Sequence, residues 1–97
     1  MNQEIFDAIK NRCVLKFNYD GYPRIVIPHA YGISRAGNEI IRCYQTGGLS
    51  HSGTPPCWRL MEVNKIQSLT MTEEHFEGES PGYVKGDRGM TTIFCEL

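Results

Sequence analysis

The chain has 97 residues, with ten Lys and Arg against eleven Asp and Glu, a formal charge of −1. At 40% apolar and 22% charged it has the make-up of an ordinary globular protein of one domain, which excludes disordered, collagen-like and coiled-coil chains. No apolar run approaches the roughly 20 residues that span a bilayer, and Met1-Asn2-Gln3-Glu4 begins no signal peptide, so the expectation is a cytoplasmic protein without a membrane partner.

Residues 2 to 12 read as a short helix. Ile5, Ala8 and Ile9 recur at helical spacing, Asn2 can cap the start, and Lys10 and Arg12 suit the negative end of the helix dipole. Leu15, Phe17 and Tyr19 then alternate with Lys16, Asn18 and Asp20, the period-two pattern of a half-buried strand, and Asp20-Gly21 marks a turn. A β-branched strand from Arg24 is expected to end at Pro28, which removes a ladder donor. Residues 30 to 34 extend or restart pairing, residues 35 to 38 turn, and residues 39 to 45 form a further strand.

The stretch from 46 to 56 holds three glycines, two serines and two prolines, the chemistry of a surface loop, and loops of that length in small domains are often functional. Residues 57 to 62 and 63 to 71 read as one bent strand or two short ones, and residues 72 to 76 as a helical turn capped by Thr72. Residues 77 to 89, rich in glycine and charge, read as a mobile tail, and residues 91 to 96 as a closing strand. The expected domain is therefore 1–76, followed by a tail over 77–97. One helix with five or six short strands suggests a small barrel, because closure removes exposed sheet edges.

Charge is unevenly spread. Between residues 8 and 60 seven basic side chains face two acidic ones, whereas residues 61 to 97 carry three basic and seven acidic. Chance on solvated faces accounts for this as well as a basic surface for an anionic ligand does. Within the basic part, Arg24 and Arg42 are interleaved with Tyr19, Tyr22, Tyr31 and Tyr44. Guanidinium forks on phosphates and aromatic faces under bases hold single strands without reading their sequence. Each tyrosine also suits a core or rim position, and each arginine a structural ion pair. Gln45 suits either a ligand edge or a turn, and Trp58 either a stacking platform or burial under the neighbouring loop.

Cys13, Cys43, Cys57 and Cys95 are scattered and form no C-x-x-C pair, so they read as free thiols acting as small hydrophobes. His51, six residues before Cys57, offers a thiol–imidazole pair or, with Cys43, part of a zinc site, but neither spacing is a ligand motif. Gly47-Gly48 lies in no phosphate-loop pattern, and Glu73-Glu74 belongs to a solvated acidic stretch. The expectation is a protein without catalysis, cofactor or metal.

The order of helix, Tyr19, Asp20-Gly21, Arg24-x-x-x-Pro28, Ile41-Arg42-Cys43-Tyr44-Gln45, a Gly/Ser loop, Trp58-Arg59-Leu60-Met61 and Val63-Asn64-Lys65-Ile66 resembles a WYL domain over residues 5 to 76. That family shows a helix ending in Arg, an Arg four residues before a Pro, a strand like Y-L-R-A-Y and a later F-R-L-D-R-I segment. Here the name-giving Trp-Tyr-Leu positions hold Glu39-Ile40-Ile41, and the last segment falls on Met61-Glu62-Val63-Asn64-Lys65-Ile66, with Glu62 at its first basic position. The resemblance implies an Sm-like small β-barrel that senses nucleotides or single-stranded nucleic acid in bacterial transcription regulation or phage defence. Such domains usually follow a winged helix-turn-helix, so the expectation is a stand-alone sensor or an accessory subunit, with a homo-oligomer open to it.

Two functions follow. In the first, the module binds a nucleotide or short single-stranded nucleic acid on a basic face: Arg24 and Arg42 contact phosphate, Tyr44 stacks, and Tyr19, Gln45, Arg59 and Lys65 complete the site. In the second, it is a protein-interaction subunit that docks onto a separate regulator through its barrel edge or the acidic residues 73 to 79.

Overall fold

The computed structural model describes residues 1–50 and 53–97. Helix α1 (Gln3–Lys10) begins where expected, with Asn2 Oδ1 accepting the Ile5 N–H at 3.1 Å. Its Ile5, Ala8 and Ile9 are buried in one cluster with Leu15, Phe17, Val26, Ile41 and Cys43. Tyr31, completely buried, ties down the helix start: its hydroxyl accepts the Asn2 N–H at 2.6 Å and donates to the Glu39 carboxylate. That tyrosine is a core residue and no part of a ligand surface.

Strands β1 (Cys13–Tyr19) and β2 (Tyr22–Ser34) form a hairpin around Asp20-Gly21. Both turn residues take positive φ, +53° and +78°, the conformation whose twist matches the flanking strands. Contrary to expectation, β2 does not stop at Pro28. Pro28 pairs with Cys43 and Ala30 with Arg42, so His29 is an extra residue at a bulge, where the missing proline N–H interrupts nothing further. The bulge lets one strand serve two partners on its far side. Tyr22 to Val26 pair with β1, and Ala30 to Ser34 pair with β6 (Met90–Glu96), while β3 (Glu39–Gly48) runs along the other side of both halves.

β3 continues to Gly48, three residues beyond the expected end at Gln45, because the last residues still pair with Arg24 and Ile25. Gly48 has φ +86°, and a Cβ there would lie 2.2 Å from the Pro23 carbonyl oxygen. β4 (Cys57–Glu62) is followed by one 3-10 turn, Val63–Lys65, and then by β5 (Gln67–His75). The expected strand over 63 to 71 is therefore broken. The expected helical turn at 72 to 76 is strand up to His75, since β5 pairs with β1 as far as Cys13 and the Thr72 hydroxyl donates to the Val14 carbonyl at 2.7 Å. A capping residue is only a local signal, and the cross-strand partner outweighs it.

The protein is mainly β, an antiparallel sheet in the order β4-β3-β2-β1-β5 with β6 on β2. Among the described residues the hydrogen-bonded path runs from β4 to β5 without joining them, and no helix is long and apolar enough to cross a membrane. Residues 77–89 run back over β2 and β4. The Ser80 N–H reaches His29 at 2.9 Å, and the Trp58 indole N–H reaches the Pro81 carbonyl at 2.8 Å.

Candidate ligand-binding site

Period two along β3 and β4 divides the expected site residues between two faces. Cys43 and Gln45 pair with Arg59 and Cys57, and Arg42 and Tyr44 pair with Leu60 and Trp58. Since successive side chains alternate, Gln45 and Arg59 share the core side of the sheet, whereas Arg42, Tyr44 and Trp58 share the outer side. The seven expected residues thus do not form one site.

On the inner side, Arg24, Gln45, Arg59 and Tyr19 come together at the open end of the core. Arg24 is only 4% exposed. Its two terminal nitrogens donate to Gln45 Oε1 and to the Tyr19 carbonyl, each at 3.1 Å. Arg59 Nε donates to the same Gln45 oxygen at 3.2 Å, and its terminal nitrogen to Ser50 Oγ at 2.8 Å. Gln45 is oriented by its own amide, which donates to the Gly47 and Leu49 carbonyls at 3.0 and 3.2 Å. Two guanidinium groups therefore converge on one neutral oxygen.

The direct hydrogen-bond partners of Arg24 are neutral groups, and Asp20 is the one acidic residue lining the neighbouring cavity. The Arg24 guanidinium lies 5.6 Å from the Tyr19 ring centre and 5.9 Å from that of Tyr22, contacts worth about 0.5–2 kcal/mol each. Among the described residues no carboxylate forms an ion pair with it, and its buried Nε has no hydrogen-bond partner. A buried charge in that state carries a desolvation penalty of several kcal/mol. Beside it opens a small cavity of about 140 Å³, lined by Tyr19, Asp20, Arg24, Ser50, Arg59 and Leu60 among others. Lys65 stands apart on the 3-10 turn, exposed and paired with Glu62 at 2.7 Å, which holds its ammonium above the usual lysine range. The Tyr19 hydroxyl accepts the Glu62 backbone N–H at 3.1 Å, tying that turn to the cluster.

On the outer side, Arg42 is held by Asp87, with Nε–Oδ2 2.6 Å and a second bond from its terminal nitrogen to Oδ1 at 3.2 Å. The pairing lowers the Asp87 carboxyl below its ordinary range and raises Arg42 further. Tyr44 meets Trp58 edge to face at 5.1 Å. Trp58 is covered by residues 77–89, through Pro81 and Tyr83, and by His29, with Tyr83 and His29 at 6.1 and 4.7 Å between ring centres.

His29, Tyr83 and Asp87 are the residues that sequence reasoning missed. The bulge that turns His29 onto Trp58 depends on pairing with β3, which no local pattern announces. The alternation of Arg42-Cys43-Tyr44-Gln45, in contrast, already separates Gln45 from the other two.

The four cysteines are free, with Cys13, Cys43 and Cys95 buried. Burial pushes the Cys43 thiol up to about 12 and that of Cys95 to about 11, so neither is a nucleophile near neutral pH. Cys13 Sγ lies 3.6 Å from His75 Nε2. The pairing weighed for His51 lies outside the described residues, and no group of metal-ligating side chains occurs among those described. No protein-family model, curated protein or solved structure matches the chain.

Proposed function

We propose that this protein is a non-enzymatic sensor that binds a nucleotide or short single-stranded nucleic acid by a phosphate group at the Arg24–Gln45–Arg59 cluster. The observation that carries the reading is the Arg24 guanidinium, buried and without an ion-paired carboxylate, beside a cavity suited to one phosphate rather than to a whole nucleotide. A phosphate at the mouth of that cavity gives both arginines charge-assisted bonds that the single amide oxygen cannot. Ser50 supplies a further polar group, and Tyr19 and Tyr22 supply ring faces on the outside. The resemblance to WYL domains and their Sm-like small barrel points the same way, because Arg24 is the arginine four residues before the proline in that pattern.

Arg42 and Tyr44 leave this site, since they occupy the other face, and Lys65 stands apart from it, paired with Glu62. The test is anisotropy of a labelled oligothymidylate and of a labelled mononucleotide across a salt titration, with Arg59→Gln as the variant. Loss of one phosphate contact should weaken binding and reduce the log–log salt slope by about 1. A folded Arg59→Gln protein with unchanged affinity and slope refutes the assignment. Absence of binding at low salt would move the weight to the accessory-subunit reading. That reading needs point substitutions at Glu73 and Glu74 as its test, because truncation after Phe76 would also remove β6.

A further inference from the structure

A second site lies on the opposite face of β3. Between residues 82–89 and the outer side of β3 and β4 opens a groove of about 700 Å³, within the range of small-molecule pockets. Trp58 and Tyr83 form aromatic walls, their rings near parallel at 24°. Arg42 lies at its base, and Lys85 and Arg88 line its rim. Among the described residues neither Lys85 nor Arg88 forms an ion pair. Among the lining residues three cations therefore stand with one acid, Asp87, while the Glu96 carboxylate accepts the Gly86 N–H at 3.0 Å.

Asp87 itself indicates what fits there. Its carboxylate sits side-on against Arg42, two oxygens on two nitrogens, and is 8% exposed where Arg42 is 29% exposed. The Arg42 fork is thus already shaped around a carboxylate, one carried on a glycine-flanked segment, with Gly86 at φ +73° and Gly89 beside it. We propose that the groove is a binding site for a small aromatic carboxylic acid, whose carboxylate replaces Asp87 on Arg42 and whose ring lies against Trp58 and Tyr83. Lys85 and Arg88 hold the displaced Asp87 or the ligand's outer oxygen. An anion that brings no ring leaves the aromatic walls unused, and a ring without a carboxylate leaves Arg42 to Asp87.

Trp58 is the only tryptophan, so its indole N–H, which donates to Pro81, gives a single resolved signal inside the groove. The experiment is a titration of isotopically labelled protein followed through that signal and the Arg42 Nε–H, with phenylacetate, acetate, benzyl alcohol and adenosine monophosphate as probes. Phenylacetate should move both signals saturably, with acetate and benzyl alcohol at least about tenfold weaker. Asp87→Asn keeps an oxygen for the Gly89 N–H but withdraws the competing charge, and should tighten phenylacetate binding about threefold or more. Arg42→Gln should weaken it about tenfold or more. Equal affinity for acetate and phenylacetate, or equal weakening by both variants, would overturn the proposal. Tighter binding of the monophosphate than of phenylacetate at these signals would overturn its carboxylate part. None of these readouts involves Arg24 or Arg59, so this proposal and the phosphate site fail separately.

Discussion

His29 is the hinge between the sheet and residues 77–89, and its chemistry predicts a pH response. The ring is completely buried. The Ser80 N–H is a donor, so Nε2 at 2.9 Å must accept, which places the ring proton on Nδ1, donating to the Ile27 carbonyl at 2.9 Å. A second proton would set N–H against N–H. Trp58, Phe76 and Tyr83 surround the ring at 4.7, 6.3 and 4.9 Å, and this burial lowers its pKa below 6.5, opposed by the Ile27 carbonyl and by Glu79. Because the folded value lies below the unfolded one, the unfolded chain binds more protons between the two. Stability should therefore fall as pH drops below about 6.5, with a limiting slope of about 1.4 kcal/mol per unit, and level off below the folded value.

The perturbation is His29→Phe, which keeps the ring and removes the titration. At pH 8 the variant leaves the Ser80 N–H without its partner and should lose about 1–3 kcal/mol. That deficit should shrink as the pH is lowered, because only the natural protein loses stability by protonation at this site. Urea unfolding followed by Trp58 emission at several pH values between 8 and 5 measures it. The Asp87–Arg42 pair does not interfere, since the lowered Asp87 value places its loss of stability below the ordinary 3.8. A stability difference that stays constant across this range would refute the reasoning.

Gly32 in β2 is tightly enclosed: an added Cβ would lie 2.0 Å from the Thr92 carbonyl oxygen. Gly32→Ala should separate β6 from β2 and lower stability by about 1–3 kcal/mol, with amide exchange accelerating first in residues 90–96. Cys57 is the one half-buried cysteine, so alkylation of the native protein followed by mass spectrometry should label it first. Cys43, buried and pushed up to about 12, should react only at the rate of global unfolding, and its early labelling would contradict the core assignment. Substituting Ile41, which is fully buried, by alanine should cost about 2–5 kcal/mol by urea unfolding.

The local chemistry of the sequence was enough for those parts of the protein that depend only on neighbours along the chain. The Asn2 cap with the Ile5, Ala8 and Ile9 stripe, the Asp20-Gly21 turn and the alternation of β1 each follow from interactions within a few residues, and the structure places them where expected. The closing strand at residues 91 to 96 also appears, as β6. Among the candidate site residues, Arg24, Gln45, Arg59 and Tyr19 do meet, because strand alternation alone places Gln45 and Arg59 on the core side once β3 and β4 are paired.

Pairing partners decided the rest. Pro28 ends a strand by its own chemistry, yet β2 passes it because β3 holds Cys43 and Arg42 on either side of a bulge. Thr72 caps a helix by its own chemistry, yet β1 offers it the Val14 carbonyl. The composition of residues 77 to 89 reads as mobile, but His29, Trp58 and Arg42 each give the segment a specific partner from strands remote in sequence. Whether a guanidinium is ion-paired or buried without an ion pair depends on such long-range placement: Arg42 meets Asp87 45 positions away, whereas the direct hydrogen-bond partners of Arg24 are neutral. Sequence determines the charges and their spacing, and only the folded sheet determines which of them remain uncompensated and open to a ligand.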